Sequence, residues 1–403
     1  MNWIQQVVDC HKNVESPRNF WYWAATATLS AVMKDNVWMN RGGLYKLYPN
    51  IYVMLHADSG LKKGPPVGFS KDIVRRVNNT RIISGRSSIQ GILKELGTAE
   101  TKPGGKVNAK SVGFIIASEF SSSLVNDPAA MTILTDLYDR QYNEGEYRSL
   151  LKMESFTLKD PTITMLVATN EAHFEDFIAK KDIQGGFIGR MFVVAESEVQ
   201  TLNPLIKPLE NPPDKEKLAE YPRSLSTLKG EFKPLDKTKA GNIYEEWYFK
   251  FYNQVRDARI KDDTGSVQRL GDSVLKVAML ISLSDNTSLE ITEDHMIEAI
   301  HVCEQLLGNI RKTTMGKRGM ADDAMRKRLI INELLNREGH TISRQMMLNK
   351  HWMDFNSDEL DRIMLSFHEG NYILTKSVGN QIIYEMRQEV IEDLRREYGG
   401  RIK

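Results

Sequence analysis

The chain has 403 residues, with 54 Lys and Arg against 53 Asp and Glu, eight histidines and a formal net charge of +1. That length is too great for one small core and predicts two or three domains, and a content of 41% hydrophobic against 27% charged residues excludes a mostly disordered chain. The balanced charge excludes a chain-wide basic excess, so any nucleic-acid surface has to be local.

The two cysteines, Cys10 and Cys303, form no CxxC or zinc spacing, which excludes a disulfide scaffold and fits a reducing compartment. The opening MNWIQQVVDCHKNVE lacks the pattern of a secretory leader, and the longest apolar stretch, Trp21 to Met33, is too short to span a bilayer. The expectation is a cytoplasmic chain without a membrane segment.

Residues 1–49 form a helical and β lead-in, in which Ser16 is the predicted cap and Pro17 the first turn of a buried helix through RNFWYWAATATLSAVM. From 50 to 200 the pattern is α/β. IYVMLH (51–56), TRIIS (80–84), VGFIIAS (112–118), TITMLVAT (162–169) and MFVVAE (191–196) are predicted buried strands. Between them PVGFSKDIVRRV, SIQGILKELG, AAMTILTDLYDRQ and AHFEDFIAKK have helical spacing, so the expectation is a sheet with helices on both faces. Residues 201–237 hold six of the 13 prolines and predict a linker rather than a strand or long helix.

From 238 to 315 three helices follow: NIYEEWYFKFYNQVRDARI, SVQRLGDSVLKVAMLISL and TEDHMIEAIHVCEQLLGNI, the last capped by Thr292. After a break at 313–323, residues 322–403 carry three helical segments and two β-like runs, YILTK and QIIYEM, around Ser377–Asn380. Three helices and a β-hairpin in that order predict a winged helix.

The chemistry lies where the first strand ends, at ADSGLKKG. A strand entering a Gly-containing turn and then a helix is the context of a P-loop, whose amides and helix N-terminus cradle phosphates beside a lysine. In the best register Ser59, Gly60, Lys62, Lys63 and Gly64 form the loop, and Lys63 is the phosphate lysine. Ala57 stands at the first glycine, Lys62 at the second and Gly64 at the Mg²⁺-ligating hydroxyl. A lysine-bearing surface turn is the alternative.

The next buried strand ends in Ser118-Glu119, and a carboxylate there is what an NTPase needs to polarise water, so Glu119 is the candidate base. Ser118 stands where a metal-binding Asp is usual. The strand after it ends in Thr169-Asn170, an amide suited to orienting water, and Arg190 precedes the last strand, where it could reach a neighbouring subunit.

The ordered set SGLKKG, IIASEF, VATN and GGFIGRMF, then a helical lid and a winged helix, resembles AAA+ ATPases of the minichromosome-maintenance helicase type. It is similar also to phage and mobile-element P-loop proteins, over roughly residues 16–385, with a RecA/DnaB-like core as the competing fold. The resemblance implies an α/β P-loop NTPase core followed by an α-helical lid and a C-terminal winged helix. It implies Lys63 as Walker A, Glu119 as Walker B, Asn170 as sensor 1 and Arg190 as an arginine finger from the neighbour. Arg269 falls where the lid supplies sensor 2, placed with Lys63 in one subunit. ATP and Mg²⁺ are the implied cofactors. The implied partners are copies of the chain in a ring, of hexameric type, DNA, and primase or other replication proteins.

Residues 58–112 carry eleven Lys and Arg against four acids, about +7 net. Within them Lys102, Lys106 and Lys110 recur every four residues in a Gly/Pro loop suited either to tracking phosphates or to plain solvation. A second DNA candidate is the 141–160 segment, where the resemblance implies a channel hairpin and Arg148 and Lys152 as its DNA-facing charges. The third helix of the tail sets Asp358, Glu359 and Asp361 against Arg362, which favours protein contacts there. No GxSxG or HExxH occurs, and the histidines are scattered, which disfavours serine-hydrolase and metalloenzyme chemistry. Three functions follow: a ring-forming DNA helicase or translocase of a phage or mobile element, a nucleotide-gated initiator or loader with weak turnover, or a non-enzymatic DNA-binding or scaffold protein with a degenerate P-loop.

Overall fold

Short apolar runs bounded by polar turns bury both faces of a strand, and here they build one sheet. The computed structural model describes residues 2–85, 87–97, 101–102, 105–106, 110–120, 124, 127–139, 146–150, 155–170, 174, 186–199, 201–202, 213–257, 264–315, 323–351, 357–379 and 381–397. Helices Trp3–Cys10 (α1) and Arg18–Met33 (α2) precede a hairpin of Val37–Arg41 (β1) and Tyr45–Leu47 (β2). Then come Tyr52–His56 (β3), Gly64–Val77 (α3), Arg81–Ser84 (β4) and Ile89–Gly97 (α4). Two short strands, Thr101–Lys102 (β5) and Gly105–Lys106 (β6), lead to Val112–Ala117 (β7) and Pro128–Tyr138 (α5). A hairpin of Glu146–Leu150 (β8) and Ser155–Lys159 (β9) precedes Thr162–Thr169 (β10) and Met191–Ala195 (β11).

The five expected strands are the five of the main sheet, all parallel, in the order β11-β3-β10-β7-β4. In chain order that is fifth, first, fourth, third, second. Val53 and Leu55 of β3 share a core with α2 and α3, while Tyr52 donates its hydroxyl to Leu134 O of α5 at 3.0 Å, so helices cover both faces. The expected helix at 172–181 lies outside the described residues, Phe174 excepted.

Helix α2 is buried nearly all round, and its hydroxyls are satisfied within the core. Thr28 Oγ1 donates to Ala24 O at 2.8 Å and lies 2.9 Å from Ser70 Oγ; Ser30 Oγ lies 2.8 Å from Thr164 Oγ1 and accepts from Ile51 N–H. The N-cap is Pro17, without a side-chain bond, rather than Ser16. Ser16 donates instead to Lys62 O at 2.8 Å, because the loop after β3 passes close enough to claim its hydroxyl.

The Pro-rich segment also differs from expectation. Lys215–Leu225 (α6) is a helix with Asp214 as cap and Pro222 inside it, followed by a short strand, Gly230–Glu231 (β12), parallel to β1. Proline at 222 removes the amide that would bond Leu218 O. Trp3 Nε1 donates to that carbonyl at 2.8 Å, so a residue 215 positions away repairs the gap. Three long helices follow, Lys239–Asp257 (α7), Ser266–Asp285 (α8) and Glu293–Met315 (α9), and Thr292 Oγ1 accepts from His295 N–H at 3.4 Å as its cap.

The chain divides into two compact units, Met1–Asn309 and Ile310–Lys403. The second holds Asp323–Leu335 (α10), Thr341–Ser343 (β13), Arg344–Lys350 (α11), Ser357–Glu369 (α12), Ile373–Val378 (β14), Gln381–Met386 (β15) and Gln388–Glu397 (α13). Its sheet is antiparallel in the order β13-β15-β14, over a core of Ile330, Leu334, Ile342, Leu360, Ile363 and Tyr384. The three helices and hairpin were expected; β13 and α13 are additions.

Trp3→Phe leaves Leu218 O without its donor and is expected to cost about 1–2 kcal/mol in denaturant unfolding. In a Pro222→Ala background the restored amide serves that carbonyl, and the same change is expected to cost about 1 kcal/mol less. Additive effects would reject the repair.

Candidate functional site

Strand β3 is hydrogen-bonded along both edges, so the chain leaves its C-terminal end at a fixed place. Ala57 and Leu61 are buried in the core and pin the loop between them, while Ser59, Gly60, Lys62 and Gly64 are exposed. Gly60 has φ +98° and Lys62 φ +46°. Lys62 thus has a left-handed backbone, a conformation costing an ordinary side chain about 1 kcal/mol. The turn is held by Lys62 N–H donating to Gly60 O at 2.8 Å, by Ser16, and by Glu15, which lies 3.7 Å from Lys62 Nζ.

Lys63 immediately precedes α3, and its Nζ folds back over the loop, donating to Ala57 O at 2.6 Å and Asp58 O at 2.8 Å. Burial lowers its pKa, against the opposing pull of Asp58 and Glu119. Glu119 is therefore within electrostatic reach of Lys63, as the sequence order predicts. A cation and a helix N-terminus bordering an open turn form a site for an anion.

The neighbouring strand ends meet there. Ala57 N–H donates to Thr169 O at 3.4 Å, and Phe120 N–H to Ala168 O at 2.6 Å. Ser118 and Glu119 are exposed beyond β7, and half-buried Asn170 follows β10, its carbonyl accepting from Phe174 N–H at 3.0 Å. A lysine, a carboxylate and an amide thus share the C-terminal edge of three adjacent strands, the usual ligand edge of an open α/β sheet. Among the described residues no group of three or more His, Cys, Asp or Glu side chains is placed to hold a metal. Asp58, Ser118 and Glu119 are exposed oxygen-bearing side chains at this edge.

Arg190 and Arg269 lie elsewhere. Arg190 precedes β11 at the N-terminal edge, about 16 Å along the strand from the loop's edge. It is only 9% exposed, and its Nε donates to Asp139 Oδ2 at 3.2 Å, Nη1 to Gly186 O at 2.7 Å, and Nη2 to Asp139 as well. The expected reach to a neighbour is thus turned inward, because Asp139 at the end of α5 pairs the guanidinium. Arg269, expected beside Lys63, is instead near Arg190: a Cβ on Gly189 would lie 3.1 Å from Arg269 Nη1. Helix α8 begins against the segment before β11 and carries Arg269 to that edge.

Between these groups lies Lys276 of α8, 1% exposed. Its Nζ donates to Asn50 O at 3.2 Å and Asn50 Oδ1 at 3.0 Å and sits 3.8 Å from the centre of the Tyr138 ring. Burial pulls its pKa down to about 7, although Asp139 and Asp272 work the other way.

Of the candidate DNA contacts, Lys102 and Lys106 lie on the β5–β6 pair and Arg148 on β8, their side chains outside the described residues, as is Lys152. The β8–β9 hairpin does fall between the Glu119 and Asn170 strands. Lys110 is paired with buried Asp35, which takes it out of the expected row of three cations. Sequence reasoning missed Asp139 and Lys276; a single lysine inside the apolar run VLKVAMLIS was the available signal for the latter.

No protein-family model matches the chain, and no curated protein matches it. Among the described residues no helix is long and apolar enough to cross a membrane.

Lys276 makes stability pH-dependent. An unfolded lysine keeps its proton to about 10.5 while the folded one gives it up near 7, so the unfolded state binds more protons in between and stability climbs with pH there. The unfolding free energy of the wild type relative to Lys276→Met is expected to rise by roughly 1 kcal/mol per pH unit between pH 7 and 10. Parallel curves in denaturant titrations across that range would reject the assignment.

Proposed function

We propose that this chain is an ATP-driven, ring-forming DNA motor of the AAA+ class, a helicase or translocase acting in replication of a phage or mobile element. The observation that carries it is the convergence of Lys63, Glu119 and Asn170 on adjacent strand ends of a sheet ordered fifth, first, fourth, third, second. The left-handed turn at Lys62 supports the loop as a phosphate cradle.

In this reading Lys63 exchanges its bonds to Ala57 O and Asp58 O for β- and γ-phosphate oxygens, joined by loop amides and the N-terminus of α3. Glu119 takes a proton from the attacking water, Asn170 orients that water, and ADP and phosphate leave. Ser118 would hold a Mg²⁺ arriving with the nucleotide, and that ion would supply neutralisation of the phosphate charge. Arg190 and Arg269 share the opposite edge, so both serve the next subunit's nucleotide, Arg190 keeping its pair with Asp139. Helices α7 to α9 act as the lid. The second unit is a winged helix used for protein contacts, consistent with Asp361 being held by Arg344 at 2.7 Å. The β5–β6 and β8–β9 hairpins carry the DNA contacts.

The runner-up, a nucleotide-gated initiator or loader, is favoured by Gly64, which leaves no hydroxyl after Lys63.

DNA-stimulated ATPase activity is the test. Lys63→Ala is expected to abolish nucleotide binding, whereas Glu119→Gln keeps binding and loses at least about 100-fold in turnover. Wild-type binding without turnover establishes the loader instead, and absence of both rejects the phosphate loop. Sizing with and without ATP tests the ring, and a monomer throughout removes the role of Arg190 and Arg269 in a neighbour's site.

A further inference from the structure

Helix α3 presents a second surface that the loop chemistry does not use. Along its outer side runs a groove of about 510 Å³, floored by His11, Trp21 and Phe69 and rimmed by Lys71, Arg75 and Lys215. The volume falls in the range of small-molecule sites. We propose that this groove is a second ligand site, taking a small phosphorylated molecule with a flat ring, of the nucleoside monophosphate class.

The charge argument comes first. Lys71 and Arg75 stand one helical turn apart on the same side of α3, an arrangement that is itself mildly repulsive. Neighbouring cations are neutralised: Arg76 by Asp72 at 3.3 Å and Glu216 at 2.9 Å, and Lys215 by Asp72 at 2.9 Å. Lys71 and Arg75 have no carboxylate partner among the described residues. Three cations against the single Asp72 leave the groove at a formal +2, which a phosphate monoester dianion matches.

The floor argues for a ring. His11 stacks on Trp21 with centroids 3.6 Å apart and planes at 8°, and Phe69 stands edge-on to both. His11 Nδ1 lies 2.7 Å from Val7 O; a carbonyl only accepts, so the proton sits on Nδ1 and Nε2 keeps its lone pair. Burial lowers the imidazole's pKa, against the bond to Val7 O and with help from nearby Lys215. Trp21 Nε1–H is buried beneath the floor without an acceptor. An aromatic floor of this kind is what the flat face of a ring packs against.

The site is separate from the loop. Lys71 and Arg75 follow Gly64 by seven and eleven residues, about 10 and 16 Å along the helix axis, too far for a phosphate lying on Lys63. Pro65 and Gly68 also line the groove, so its occupant touches the first turn of the helix that the loop feeds.

Calorimetric titration of the full chain with AMP, CMP, ribose 5-phosphate and inorganic phosphate tests the assignment. At least one monophosphate is expected to bind wild type and Lys63→Ala alike and to bind Lys71→Gln/Arg75→Gln at least about tenfold more weakly, with ribose 5-phosphate and phosphate weaker still. Unchanged affinity in the double variant overturns the proposal, as does loss in Lys63→Ala, which would put the ligand on the loop. Equal affinity for ribose 5-phosphate removes the ring. Absence of monophosphate binding, including the case where only a single-stranded oligonucleotide responds to the double variant, overturns it too. Because Lys63→Ala removes the ATP site of the proposed motor and leaves this groove intact, failure of either idea is seen separately.

Discussion

Strand β3 is held by parallel partners along both edges, its residues 52 to 56 matched to 165 to 169 of β10 and 191 to 195 of β11. Its faces are closed as well, by α2 and α3 on one side and α5 on the other. A slip of one residue would turn Val53 and Leu55 out of their core and send Tyr52 into it, so the register is fixed by burial as much as by hydrogen bonds. The chain can therefore leave the sheet at one point only, which anchors the start of the loop from Asp58 to Lys63. Local strain at Lys62 persists because that anchoring, together with Ser16 and Glu15, over-determines the turn.

The two edges of the sheet have different chemistry for the same reason. Parallel strands collect all their C-terminal ends on one side, where exposed loops carry Lys63, Glu119 and Asn170. The N-terminal ends are roofed by α8, and there the polar groups are buried: Arg190 with Asp139, and Lys276 with Asn50 and Tyr138. An ion pair at that depth adds little net stability, but removing one partner is expensive, so the pair acts as a constraint on where α5, α8 and the segment before β11 can sit.

The strands were legible because each is a short apolar run between turn residues, a pattern that survives any tertiary arrangement. Lys63 was legible from its place between strand and helix. Lys62 was not, since nothing in a lysine announces a left-handed backbone; the turn imposes it. The proline count misjudged 201–237, because a single proline inside a helix is tolerable when a remote donor such as Trp3 serves the stranded carbonyl. Ser16 read as a cap by local grammar and was claimed by a loop 46 residues on. Asp139 beside Arg190, and the groove assembled from α1, α2, α3 and α6, depend on pairings that no local spacing encodes.

Burial of α2 on nearly every side has a practical corollary for anyone dissecting the chain. Although residues 1–49 precede the first strand of the main sheet, their removal would strip one face of that sheet, orphan the hydroxyl of Thr164 and the amide of Ile51, and take away the hydroxyl that steadies Lys62. The segment is interior matter that happens to precede the sheet in the sequence. Fragments cut at residue 50 should aggregate rather than fold, and the smallest autonomous piece of the first unit has to begin ahead of α1, whose Trp3 closes the backbone of α6.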